Sequence, residues 1–492
     1  ALYGSDALGG VVNLITSDPA GPFGMSGVVR FGSLGRRDAQ LTAQAGGKLQ
    51  YRLSGGVREQ GAVPSIERSD DALNRVWDFR GTMRADLSSE LRFRTDVSLL
   101  RERQRWRVSS DGFNGFNDNI GVTGWAETEW RRGAGGLRTR LSFERYEHKF
   151  RQARALAPIA GDPTLPQKEW AAKGTVAWNG RVGGQTIDVG VEAGRREIES
   201  PGKIEGPVSD DQVDGFLQAT LAAGDLLITP ATRVGWNSRW GSSFTPGVQA
   251  AWLATPALRL RAGLARGYRG PTFKELLWDF PNASAGYTIR GNPDLVPERS
   301  WQLSAGALIA ITDRLTIDGE VFRNEIHDLI ELADGGVDPN TNFLLFKPAN
   351  VARARTQGFE LEARWTYRSF GFAAGYGYLD AVDRTSGNRL DRRPRHSGRF
   401  KVGWNDGGPT GLRADLVVTM TGSAPLQGSG SNDRQAAYTS AGFQAGYDFS
   451  RSLGITLGID NLLDQAPQNW PGIQERRFYV GLRAAWLGSA DR

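Results

Sequence analysis

The sequence predicts an all-β protein, a transmembrane antiparallel β-barrel of about 22 strands. Three observations carry that expectation: apolar and polar residues alternate with period two, short and long connections alternate along the chain, and the composition leaves no thick core. Gly supplies 64 of 492 residues, while the AVILMFWYC class supplies only 39%. No run of about 18 apolar residues occurs, so a helical span is excluded. A barrel strand escapes that exclusion because its residues need only alternate.

The alternation is explicit wherever charges make it visible. From Trp77 to Leu87 the odd positions are Trp77, Phe79, Gly81, Met83, Ala85 and Leu87, and the even ones are Asp78, Arg80, Thr82, Arg84 and Asp86. Leu91, Phe93, Val97 and Leu99 alternate with Arg92, Arg94, Asp96 and Ser98; Phe359, Leu361, Ala363, Trp365 and Tyr367 alternate with Glu360, Glu362, Arg364 and Thr366. One face of each strand is apolar and the other charged. No helical segment is available to cover the apolar faces, which therefore point to lipid.

Punctuation sets the order of elements. Tight turns are read at Gly46-Gly47-Lys48, Ser88-Ser89-Glu90, 132–136, 179–184, Ala223-Gly224-Asp225, Thr255-Pro256, Thr312-Asp313, Arg368-Ser369, 406–410 and 450–452. Between them run long polar loops at 60–75, 104–119, 151–167, 198–212, 268–299, 326–355, 383–396, 422–437 and 463–475, with short connections near 33–37 and 237–241. Ten turns on one side and eleven loops on the other separate 22 strands. Trp77, Trp365, Trp404 and Trp486, near strand ends, are expected to form aromatic girdles. Residues 23–492 read as the barrel, and the stretch 1–22 precedes its first strand; the family resemblance below implies that this stretch is the C-terminal end of a plug domain.

Charge and special residues remove several function classes. The net charge is +6, from 60 Lys+Arg and 54 Asp+Glu, and the basic residues are interspersed with acids rather than gathered in a stripe, which argues against nucleic acid. There is no Cys, so disulfides and thiolate chemistry are absent, as suits an exported protein without covalent staples. His148, His327 and His396 are scattered. The start, Ala1-Leu2-Tyr3-Gly4-Ser5, has neither a basic n-region nor an apolar h-region, so the chain is expected to be a piece of a longer exported precursor.

Leu2-Tyr3-Gly4-Ser5-Asp6-Ala7-Leu8-Gly9-Gly10-Val11-Val12-Asn13-Leu14-Ile15-Thr16 resembles the closing segment of the plug domain of TonB-dependent outer-membrane receptors, with Tyr3, Gly4, Gly9, Gly10 and Asn13 at the motif positions. The segment from Gly267 to Leu276, containing Arg269, Pro271 and Thr272, is similar to that family's "FRAPT-x-x-EL" stretch, with Tyr268 for Phe and Gly270 for Ala. Asn292-Pro293-Asp294-Leu295-Val296-Pro297-Glu298 resembles its "NPxLxPE", Asn350 with Gly358-Phe359-Glu360-Leu361-Glu362 its strand entry, and Asn461-Leu462-Leu463-Asp464 its "NLxD". The resemblance implies a Gram-negative outer-membrane location, a monomer, and active uptake of a ferric siderophore or cobalamin as transported ligand. It also implies TonB with ExbB and ExbD, the barrel-assembly machinery, lipopolysaccharide and lipid, and a colicin or phage as partners. The rest of the plug and the TonB box would precede Leu2. Six residues follow Trp486 in the last strand, a departure from the family's terminus.

No Walker A, Gly-x-Ser-x-Gly or His-Glu-x-x-His pattern occurs, and no catalytic residue is assigned. Asp210, Asp211 and Asp214 are either a calcium-binding cluster or a solvated acidic turn; no metal ligand is assigned. In receptors of the resembling family that bind haem, a His stands between the two loop motifs; 268–292 contains none. That stretch holds Arg269, Lys274, Trp278, Phe280, Tyr287 and Arg290, a cation-plus-ring set that suits an anionic aromatic ligand such as a ferric catecholate. Arg101, Arg103, Arg105, Trp106 and Arg107 form a second candidate rim. Cobalamin uptake and a passive channel are the alternatives.

Overall fold

The structure is a computed structural model, and it describes residues 18–19, 21–61, 73–107, 114–153, 166–282, 286–408, 410–426, 434–465 and 475–487. The motif at Tyr3, Gly4, Gly9, Gly10 and Asn13 lies outside the described residues, as does most of 1–22. Among the described residues, 24 strands are hydrogen-bonded into one sheet. Two of these, Asp279–Asn282 and Tyr287–Arg290, form a hairpin within a loop; the other 22 make the wall. The first wall strand, Gly24–Gly32, pairs antiparallel with the last, Arg477–Leu487, matching Val29 with Leu482 and Phe31 with Val480. Closure leaves no strand edge, the condition for a sheet to cross hydrocarbon.

All ten expected tight turns separate consecutive strands at one end of the barrel. Gly224, at φ +60°, shows why glycine stands there: the turn needs a left-handed residue. The opposite end differs from expectation in two places. The loop expected at 326–355 is a tall β-hairpin, because Leu315–Val337 and Leu344–Tyr367 stay paired up to Val337 and Leu344 through irregularities near Ile326, Leu329 and Asp334. Leu91–Arg107 and Asn114–Arg132 likewise extend into the expected 104–119 loop. Above the apolar belt both faces of a strand meet water, so the backbone ladder continues while the period-two signal in the side chains disappears.

Inside the belt the alternation is as expected. Phe359, Leu361 and Trp365 point outward and are exposed, as are Phe79, Val97 and Leu99. In the last strand Phe478, Val480, Leu482 and Trp486 are exposed while Tyr479 and Gly481 face the lumen. Trp77 to Leu87 and Trp301 to Ile311 each span ten residue steps. At about 3.3 Å per residue and a tilt of about 40° that is about 25 Å, the height of a membrane barrel's apolar band. Rings mark both edges. On the turn side Trp365 stacks on Phe372 at 5.0 Å and Phe23 meets Trp486 at 5.6 Å. On the loop side the guanidinium of Arg75 sits 5.5 Å from the Trp77 ring.

The lumen holds ion pairs instead of a core. Arg233 bridges Glu192 at 2.7 Å and Asp214 at 3.0 Å; Arg94 meets Glu127 at 2.7 Å and Arg80 meets Asp96 at 2.8 Å. Asp18, just ahead of the barrel, pairs with the lumenal Arg84 at 2.6 Å, and the adjacent Pro19 is fully buried.

Candidate functional site

The loop between Leu258–Arg269 and Glu298–Thr312 folds inward over the barrel mouth, and the family-like motifs are what fasten it. Thr272 caps the short helix Phe273–Leu277: its hydroxyl accepts from the Glu275 N–H, and the Glu275 carboxylate accepts from the Thr272 N–H, a reciprocal capping box. Arg269 donates to both oxygens of Glu298, at 2.7 and 2.5 Å, and to Glu275 at about 3.1 Å. Glu298 is almost fully buried and also accepts from the Ile330 N–H at 2.8 Å. Pro271 is fully buried. The Asn292 N–H bonds the Glu275 carbonyl at 2.8 Å, and its side-chain amide donates to the Pro348 carbonyl at 3.1 Å. Asn350 donates to Val296 and Asp328 carbonyls at 2.9 and 2.7 Å. Pro293 follows in the same turn. A Cβ on Gly291 would lie 2.5 Å from the Leu277 nitrogen, so only glycine allows that approach.

Arg290 pairs with the fully buried carboxylate of Asp338 at 3.1 Å and with Asp279 at 3.6 Å. Tyr287 meets the edge of Phe346 at 6.2 Å, in a strand that pairs parallel with the Leu344 strand. Arg269, Arg290 and Tyr287 thus lie within the loop's own framework. Lys274 and Trp278 lie on its inner side. The Lys274 ammonium is 5.3 Å from the Trp278 ring and 3.7 Å from Glu169, a lumen-facing carboxylate on the neighbouring wall.

Lys203, outside the set predicted from the sequence, completes this cluster. The turn at Ser200 buries Ile204 and carries the Lys203 ammonium to 4.8 Å from the Phe280 ring and 5.3 Å from Trp278; the Lys203 carbonyl accepts from the Asp279 N–H at 2.8 Å. Among the described residues Lys203 has no carboxylate partner within ion-pair distance. Burial, with the Lys274 charge adding to it, pushes the Lys203 ammonium below the ordinary lysine range. The Trp278 ring nitrogen is buried and has no acceptor among the described residues. Arg196 and Arg239 flank Phe273 at 5.7 and 5.4 Å. Lysine is scarce here, 8 residues against 52 arginines, and that scarcity was the one signal that set Lys203 apart.

The second candidate rim divides between the two faces of its strand. Trp106 faces the lumen and stacks on Phe150 at 6.1 Å, next along that face from His148, which bonds Asn119 at 2.7 Å and lies within electrostatic range of Lys203 and Lys274. Arg105, one residue earlier, points to the other face, as does Arg103, which pairs with Asp118 at 2.9 Å. Arg107 ends the strand. The three aspartates also separate: the Asp210 side chain is 1% exposed and that of Asp211 50%. Each is held by a different guanidinium, Arg196, Arg195 and Arg233 respectively. Asp211 points to the opposite face of the strand from Asp210 and Asp214, and those two stand four residues, about 13 Å, apart along it, so the three do not converge on one ion.

The chain matches the family of TonB dependent receptor-like β-barrels over residues 28–462. It is 24% identical over 501 residues to the vitamin B12 transporter BtuB of Photobacterium profundum, covering 98% of this chain and 77% of that protein. The siderophore receptor PirA of Pseudomonas aeruginosa superposes with a TM-score of 0.80 at 17% identity, covering 99% of this chain and 85% of that one. A variant of the ferric enterobactin receptor PfeA of the same organism, solved in complex with enterobactin, superposes with a TM-score of 0.78 at 19% identity, covering 98% and 84%. With the matching stretch running through most of the wall, the chain belongs to the TonB-dependent receptor β-barrel family.

Proposed function

We propose that this receptor takes up an anionic, aromatic ferric chelate of the catecholate type across the outer membrane, with TonB, ExbB and ExbD supplying the energy. One observation carries the reading: Lys203 and Lys274 flank the Trp278 and Phe280 rings on the lumen side of the mouth, and Lys203 lacks a counter-carboxylate among the described residues. A half-buried ammonium without a near anion, as at Lys203, is costly, and an anionic ligand relieves that cost. Catechol rings stack on indole and phenyl faces, and a chelate oxygen supplies the acceptor for the Trp278 N–H. Arg269 and Arg290 then act as positioning residues, since their carboxylate partners already neutralise them. The solved PfeA complex with enterobactin is in keeping with this chemistry.

Cobalamin is the second reading, favoured by the likeness to a B12 transporter. Charge separates the two. An ammonium about 6 Å from an anionic oxygen contributes about 3 kcal/mol at an effective dielectric of about 20, roughly halved by physiological salt. The purified receptor is titrated with a ferric tricatecholate and with cobalamin at low and high salt. Tight, salt-sensitive chelate binding that drops 30-fold or more in Lys203→Gln/Lys274→Gln supports the proposal. Tight cobalamin binding without chelate binding overturns it.

A further inference from the structure

Neighbouring strands of the lumen wall bring Glu102, Asn119, His148 and Gln167 into one row, since each is the ladder partner of the next. Hydrogen bonds along this row have a fixed sense. A carboxylate only accepts, so the side-chain amide of the buried Asn119 donates to Glu102 at 2.9 Å and presents its carbonyl oxygen to His148. The Gln104 amide holds the other Glu102 oxygen at 2.9 Å. The Asn119 oxygen lies 2.7 Å from His148 Nδ1, so Nδ1 carries the proton and the neutral ring keeps its lone pair on Nε2. Among the described residues Nε2 has no hydrogen-bond partner. Burial and the Lys203 and Lys274 charges disfavour a second proton there.

The row adjoins the mouth cluster. Gln167 donates to Glu169, the carboxylate 3.7 Å from the Lys274 ammonium, and two residues towards the loops from His148 the Phe150 ring stacks on Trp106. An imidazole whose Nδ1–H is held by an oxygen acceptor, itself oriented by a carboxylate, is the arrangement that supports a metal-ligating histidine. The other polar groups of the cluster, the Lys203 and Lys274 ammoniums and the Trp278 N–H, all donate. His148 Nε2 accepts, and the oxygens of an anionic chelate offer it nothing. An open position on ferric iron does, because imidazole is a good ligand for iron. Ferric iron takes an octahedron of donors: a tricatecholate fills it, whereas a dicatecholate leaves two positions to water.

We infer that the mouth site takes ferric dicatecholates with His148 Nε2 as a ligand to the iron. The inference rests on the catecholate reading of this site and names which chelates of that class it selects. One iron–nitrogen bond forms as one iron–water bond breaks; the imidazole is already neutral, so no proton or electron moves. The lysines and rings hold the catechol arms, and His148, aligned through Asn119 and Glu102, holds the metal. Tricatecholates bind there through charge and rings alone.

The purified receptor, labelled isotopically at its histidine nitrogens, is titrated with a ferric dicatecholate and with a ferric tricatecholate, and pulsed EPR of the high-spin iron reads the nuclei bound to it. A coupling to histidine nitrogen is expected with the dicatecholate and none with the tricatecholate. The chain has three histidines, and His327 and His396 are ladder partners of Arg299 and Tyr378 on the outer face of the wall, so the coupling reports His148 even where a variant fails to fold. His148→Phe, its folding checked by heat-modifiable electrophoretic mobility, is expected to lose the coupling and to bind the dicatecholate about tenfold or more weakly, with tricatecholate affinity changed by less than about threefold. Dicatecholate binding without a coupling, or a coupling that survives in folded His148→Phe, overturns the inference and leaves the catecholate reading standing. If neither chelate binds, the catecholate reading falls and the inference falls with it.

Discussion

Leu482→Arg tests the wall register at a position whose depth the structure sets. Leu482 is 49% exposed on the outer face and stands four residues from Trp486, which marks the turn-side girdle. Four steps at about 3.3 Å, tilted about 40°, put it about 10 Å into a band of about 25 Å, close to the midplane. An arginine there costs about 2–4 kcal/mol, a change of about 30- to 1,000-fold in the folding equilibrium. Tyr479→Arg changes the other face. It loses the hydroxyl's bond to Gln444 at 2.9 Å and the stacking of Arg36 at 5.2 Å, about 1 kcal/mol in a watery lumen. Urea unfolding of both variants reconstituted in lipid vesicles measures the difference. Equal costs, or the larger cost at Tyr479, refute the register.

Three further outcomes follow from the loop's construction. Glu298→Gln leaves Arg269 half-paired in a buried setting and is expected to cost about 3–5 kcal/mol of local stability, seen as faster proteolysis within 270–292. Gly291→Ala forces the hairpin away from the helix and is expected to lower chelate affinity while leaving the barrel's unfolding midpoint unchanged. Because burial lowers the Lys203 pKa in the folded state, the unfolded chain holds that proton more tightly; stability is therefore expected to rise with pH between the depressed folded value and the ordinary lysine value, while chelate binding falls over the same window. Lys203→Arg, which keeps its charge throughout, is expected to remove that alkaline fall in binding titrations.

The wall was legible in the sequence because lipid imposes alternation: Phe359 and Leu361 cannot share a face with Glu360 and Glu362 and still span a membrane. The hairpin beyond Ile326 was not legible, since water on both sides relaxes that rule while the backbone stays paired. At the mouth, the expected candidates Trp278 and Lys274 lie together, with Lys274 3.7 Å from Glu169, whereas Arg269 and Arg290 are each held by two carboxylates that composition does not reveal. Glu298 is 29 residues from Arg269, and Asp338 is 48 from Arg290. Lys203 stands in a separate loop, brought in by the turn at Ser200 and a backbone bond to Asp279. Local pattern lists the cations and rings of the loop; the folded barrel decides which of them meet carboxylates.

Anomalous diffraction at the iron edge, from crystals of the receptor soaked with a ferric tricatecholate, locates the bound metal. One iron peak is expected on the lumen side of the mouth, beside Trp278 and between the Lys203 and Lys274 ammonium groups. An iron peak bound at Arg269 or Arg290 with their carboxylates displaced, or no peak at the mouth under saturating ligand, contradicts the proposed site.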